Sequence, residues 1–276
     1  MRLSRREFAA LPLFTVLRAK GQPPPPVLES KAYDFTSLPV RASESGATKI
    51  RPVLNGMTKR SRLLEIHITE LAPGQAPHPP HQHRNEEIMM LSEGTLEVEL
   101  HAQVGEFGHG EKSRIGPGSV IYLASDDPHG QHNVGQAPAR YFVIALDRTQ
   151  WSPTTAESES LRTLQSKTYG FSQMAERTSP NGAVKSRPVF NGVTTRGMHI
   201  SAHLSELAAG QAPHPPERQP HEEAILLREG TLEVTLNGQV STLGPGSVIY
   251  SAYNDLNGVR NVGTAPAKYF VFSMEG

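Results

Sequence analysis

The stretch GQAPHPPHQHRNEEIMMLSEG at residues 74–94 is answered by GQAPHPPERQPHEEAILLREG at residues 210–230, in the same frame and at the same length. RPVLNG at 51–56 likewise returns as RPVFNG at 187–192, and EGTLEV at 93–98 returns unchanged at 229–234. A repeat of so long a period means duplicated domains, because solenoid repeats stack units of only about 20–50 residues. A chain of 276 residues is long enough for both copies to bury a core of their own. GPGSVIY at 116–122 recurs at 244–250, a shorter interval, so the second copy has lost residues between its strands. The loss falls within the stretch that matches 101–114 (HAQVGEFGHGEKSR), which predicts a loop or hairpin extension peculiar to the first copy.

Within a copy the pattern has the period of a strand. Leu96, Val98 and Leu100 alternate with Thr95, Glu97 and Glu99, which gives one apolar and one wet face. Ile121, Leu123 and the run 141–146 predict further strands, and the 24 glycines and 23 prolines supply turns between them. Many short strands with tight turns predict an all-β chain, folded as sandwiches or barrels closed on themselves.

Lys plus Arg and Asp plus Glu both total 27, so no basic field exists to hold nucleic acid or an anionic membrane. Cysteine is absent, which excludes disulfides, thiolate metal sites and a cysteine nucleophile. Any metal must then be held by histidine, carboxylate or amide oxygen. At the N-terminus a basic segment with Arg5-Arg6 precedes an apolar run over 8–17 that is too short for a permanent membrane span. SRREF at 4–8 resembles the twin-arginine export signal, which implies a bacterial protein exported after folding to the periplasm or beyond. The expected organisation is an export signal over 1–22, a proline-rich linker over 23–29, a first domain over 30–150, a linker over 151–165 and a second domain over 166–276.

His81 and His83 lie two apart on an extended segment, so both imidazoles fall on one face. Glu87 follows after three residues, and His129 comes just after a later strand. The arrangement His81-x-His83, three residues, Glu87, six residues, Gly94, and later His129-x-x-x-Asn133, resembles the two motifs of the cupin superfamily. Because the resemblance covers both copies, it implies a bicupin: two tandem jelly-roll β-barrels of six to eight strands each. It also implies that His81, His83, Glu87 and His129 bind one divalent metal inside the first barrel. Three imidazoles with one carboxylate suit Mn, Fe, Ni, Cu or Zn rather than Ca or Mg.

Alignment of the copies turns those four residues into Glu217, Gln219, Glu223 and Asn257, so the second barrel is expected to be a metal-free, structural relic of the duplication. His78 has a counterpart in His214 of the copy without ligands, and Arg51 has one in Arg187, which points both pairs to turns or interfaces. The expected function is that of a metalloenzyme acting on a small oxygen-rich molecule, with a non-catalytic small-molecule or metal-binding protein as the alternative. Cupins catalyse dioxygenation, decarboxylation, isomerisation and hydrolysis, so the resemblance leaves the reaction open. Glu86, Glu99, Tyr122 and His132 are the candidate acids and bases, and the chain is expected to act as a monomer or homodimer without a stable membrane anchor.

Overall fold

The structure, a computed structural model, describes residues 25–60, 62–148 and 162–275. The segment over 1–22 expected to be an export signal and most of the expected linker over 151–165 lie outside the described residues. In chain order the first half contributes β1 (Lys31–Tyr33), β2 (Arg41–Ala42), β3 (Thr48–Met57), β4 (Arg62–Leu71), β5 (Glu86–Glu93), β6 (Leu96–Leu100), β7 (Glu111–Ile115), β8 (Val120–Leu123), β9 (His129–Asn133) and β10 (Ala139–Arg148). The second half contributes β11 (Lys167–Tyr169), β12 (Arg177–Thr178), β13 (Val184–Val193), β14 (His199–Leu207), β15 (Glu217–Arg218), β16 (Glu222–Glu229), β17 (Leu232–Leu236), β18 (Gln239–Leu243), β19 (Val248–Ser251), β20 (Leu256–Asn261) and β21 (Ala267–Glu275).

Each half pairs a large sheet with a small one. The first half has the order β11-β8-β5-β10-β4-β3-β2 opposite β7-β6-β9, and the second has β1-β19-β16-β21-β14-β13-β12 opposite β15-β20-β17-β18. The chain is therefore all-β, with two jelly-roll barrels as the repeat predicts. The outermost strands are exchanged, because β1 pairs with β19 of the second barrel and β11 pairs with β8 of the first. Serines fasten both exchanges: Ser30 Oγ accepts from Ala252 N at 2.8 Å and donates to Asp255 at 2.7 Å, while Ser166 Oγ accepts from Ala124 N at 2.9 Å.

The alternation of β4 shows how the core is divided. Leu64, Ile66 and Ile68 point to one face and join Met90, Phe142 and Ile144 in a core shared with Ile200, Leu226, Phe270 and Phe272 of the other barrel. The odd-numbered residues Glu65, His67 and Thr69 point the other way, into the first barrel, whose own apolar lining includes Leu96, Val98, Tyr141 and Val143. Full burial of each large apolar side chain contributes about 1.5–3 kcal/mol, so the shared core makes the pair of barrels one folding unit rather than two hinged domains. Gly94 turns β5 into β6 at φ +84°, and a β-carbon there would lie 2.5 Å from the Ala139 Cα. Gly230 repeats this close approach against Ala267.

The interface also buries one carboxylate from each barrel. Glu222 accepts from Arg60 N at 3.0 Å and from Arg62 Nη1 at 3.2 Å, and both partners of the Glu222–Arg62 pair are almost fully buried. Its counterpart Glu86 accepts from the Thr195 hydroxyl at 2.9 Å and Arg196 N at 3.2 Å, and Met198 stands where Arg62 would be.

Candidate metal centre

Three segments deliver the ligand side chains to one place inside the first barrel. His81 is joined to His129 by two backbone hydrogen bonds of 2.9 Å, which lay the loop carrying His81 and His83 against the start of β9. Glu87 sits on β5, level with Ala145 of β10 and Leu123 of β8. The ring centroids of His81, His83 and His129 are 4.7–5.1 Å apart. One nitrogen from each of the three rings lies within 4.8 Å of the others, and the group can hold a metal ion.

The tautomers follow from the partners. His83 Nδ1 lies 2.8 Å from the Asn85 carbonyl and His129 Nδ1 lies 2.9 Å from the Asp127 carbonyl. A carbonyl only accepts, so both Nδ1 atoms carry protons, which leaves Nε2 as the ligand atom of each ring. Nδ1 of His81 is buried without a hydrogen-bond partner. Burial, then the neighbouring imidazoles of His78, His129 and His83, push the His81 pKa down to about 3, and burial likewise lowers that of His129. Neutral imidazoles are what a metal requires.

His83 and Glu87 behave differently because they are partners. Burial opposes charge on both, but the 3.0 Å contact of His83 Nε2 with Glu87 Oε2 outweighs it. The His83 pKa is raised, and that of Glu87 falls to about 2 with further help from His129 and His67. An imidazole nitrogen and a carboxylate oxygen thus face each other at hydrogen-bond distance inside the barrel. The donor chemistry, an unpartnered buried nitrogen and this nitrogen–oxygen pair all fit a divalent transition ion.

The other sequence candidates lie elsewhere. Glu86 and Tyr122 belong to the interface, Glu99 lies on the outer face of β6, and His132 packs near Phe107 with ring centroids 6.1 Å apart. His78 bonds its own chain at the Pro79 carbonyl, as His214 does at Pro215, although its ring also meets His81 edge-on at 4.0 Å. Arg51 bonds the Leu38 carbonyl and Arg187 the Met174 carbonyl, each with its guanidinium over a phenylalanine, so both organise turns. In place of those candidates, β4 turns Glu65 and His67 into the barrel, with His67 Nδ1 3.2 Å from Glu65 Oε1. The second oxygen, Glu65 Oε2, is buried and unpartnered. Polar residues at alternate positions of an otherwise apolar strand are the signal that marks this pair in the sequence.

In the second barrel Glu217 turns outward to His214 at 3.3 Å with 54% of its side chain exposed. Glu223 faces His221 at 3.9 Å, and among the described residues no cluster of three ligands forms there.

Two fused jelly rolls, one with a histidine cluster in its interior, define the class of two-barrel metal-binding β proteins. The profile of the cupin domain matches residues 67–145 and 203–273, and the chain belongs to the cupin family as a bicupin. No curated protein matches the chain. Among solved structures, variants of oxalate decarboxylase from Bacillus subtilis align with a TM-score of 0.65 at 15% identity, covering 90% of this chain and 78% of theirs. AerE from Microcystis aeruginosa aligns with a TM-score of 0.60 at 13% identity, covering 90% of this chain and 98% of its own. At such identities the likeness is one of fold.

Proposed function

We propose that the first barrel is the seat of a metalloenzyme, in which His81, His83, Glu87 and His129 hold one divalent Mn, Fe, Ni, Cu or Zn ion and a small oxygen-rich molecule is the substrate. The observation that supports this most directly is the convergence of three imidazoles in one barrel interior, set against a twin barrel that forms no such cluster. The second barrel is structural and metal-free in this reading. Bound at the first site, the ion would act as a Lewis acid on a ligand oxygen. The protein's own groups orient and exchange protons around that ligand. The backbone carbonyls of Asn85 and Asp127 fix the rings, and Glu87 stays ionised although buried. Glu65 Oε2 offers an acceptor for a ligand hydroxyl, with His67 holding the carboxylate in place through Oε1.

Export through a twin-arginine signal over residues 1–22 belongs to the same reading, since a chain that folds first can be loaded before it leaves the cytoplasm. Oxalate, the substrate in the name of the structural neighbours, is the first ligand to test. The deciding measurement is metal content per chain for the wild type and His129→Ala, purified without chelator. Roughly one equivalent that disappears in the variant is expected. Equal metal in both proteins, or none in the wild type, overturns the assignment; turnover absent from loaded protein would leave a binding protein.

A further inference from the structure

The extension that only the first barrel possesses does not project as a free hairpin tip. Its residues 101–110 fold back over the outer face of the small sheet and are tied down at three places. Gly105 N donates to the Pro80 carbonyl at 2.7 Å, and Ala102 N donates to the Pro128 carbonyl at 2.9 Å. These prolines immediately precede His81 and His129. The third tie is Glu99, almost fully buried on the outer face of β6. Its carboxylate accepts from Gly108 N at 2.8 Å, His109 N at 2.8 Å and Gly110 N at 2.7 Å. A buried carboxylate that satisfies three consecutive amides sets the shape of the loop. Phe107 completes the contact by lying over β9, where a β-carbon at Gly130 would come 2.7 Å from its ring and 3.0 Å from Pro80.

The second barrel has neither device. Thr235 stands in place of Glu99, and β17 passes into β18 through the short turn at Asn237 and Gly238. Asn237 N still bonds the Leu256 carbonyl at 2.8 Å, the counterpart of the Ala102 tie, but no loop extends toward Pro216. The barrel with the ligands is thus the barrel with the brace. We propose that Glu99 is a positioning residue which, through the 101–110 loop, clamps the His81 and His129 segments at the separation a metal ion requires. This rests on the metal reading above.

The test compares Glu99→Ala, the milder Glu99→Gln, and replacement of residues 101–110 by Asn-Gly, with Glu97→Gln as an outer-face control. Zinc affinity is measured by competition with a chromophoric chelator, alongside the apo melting temperature and amide exchange at residues 81–83 and 129–131. Partners outside the ligand shell commonly change metal affinity 10–100-fold. Glu99→Ala and the loop replacement are expected to weaken zinc at least 10-fold and to speed exchange at both ligand segments, while Glu99→Gln loses less. The apo melting temperature should fall less for Glu99→Gln than for Glu99→Ala, and the zinc affinity of Glu97→Gln should match the wild type. Zinc affinity within twofold of wild type in Glu99→Ala, with unchanged exchange, overturns the clamp. A wild type that binds none of Mn, Fe, Ni, Cu and Zn sinks the metal reading instead, and the exchange data still decide whether Glu99 orders the two segments.

Discussion

The two barrels share their strand order and their reciprocal outer strands, yet besides the 101–110 loop they differ in the interior of the barrel and at the centre of the interface. In the interior, three imidazoles have become Glu217, Gln219 and Asn257. At the interface, Arg62 faces Glu222 whereas Met198 leaves Glu86 without an equivalent cation. Both changes are tolerated because the framework is set by apolar alternation and glycine turns, which both copies retain. Polar groups in the interior then decide function and pairing, and they diverge without loss of the fold.

The interface comparison breaks most severely at Glu222. In Glu222→Gln the buried guanidinium of Arg62 loses the carboxylate of this ion pair and keeps its bond to the Glu275 carbonyl at 2.7 Å. Loss of one partner from a buried ion pair costs about 3–5 kcal/mol, which urea unfolding of the apo protein would report. If loss of the Glu222 charge opposite Arg62 is the cause, adding Arg62→Met, which copies the Met198 side, should recover most of the loss. A double variant no more stable than the single one would assign the cost to packing instead.

The interior comparison is sharpened by a graft. The backbone that presents His81 to His129 is already present in the second barrel, where Glu217 pairs with Asn257 between β15 and β20. Glu217→His, Gln219→His and Asn257→His together, with Glu223 retained, should create a second metal site. It should be about 10–100-fold weaker than the first, because the bracing loop is missing. Equal affinity at the two sites in a zinc titration would mean that the loop contributes nothing.

Much of this architecture is legible in the chain itself. The repeat marks two barrels, Leu96, Val98 and Leu100 show the strand period, and the His81-x-His83 spacing with Glu87 and His129 marks the cluster that the fold assembles. The strand exchange is not legible, since Lys31–Tyr33 and Lys167–Tyr169 are short copies of each other and nothing in them specifies which barrel they join. Nor is the burial of Arg62, because arginine is ordinarily exposed and only its partner in the other half explains it. The Glu65–His67 pair is half legible: its alternation is visible, but which face of β4 meets the barrel interior depends on the core shared between the two halves.

The smallest expected effect falls on Glu86. Burial holds the Glu86 pKa above the ordinary carboxylate range, against the hydrogen bonds from Thr194, Thr195 and Arg196. The folded chain therefore keeps this proton to higher pH than the unfolded chain does. As pH rises from the ordinary carboxylate value through the raised one, the unfolded state gains more by ionising, and stability is lost across that window. Glu86→Gln retains an oxygen for the Thr195 hydroxyl and Arg196 N but cannot ionise. It should lie within about 1.5 kcal/mol of wild type at neutral pH, and its stability relative to wild type should improve as pH increases through the window. Thermal melts of both proteins across that range check the slope. A variant that loses stability relative to wild type as pH increases would mean that Glu86 is held ionised in the folded chain.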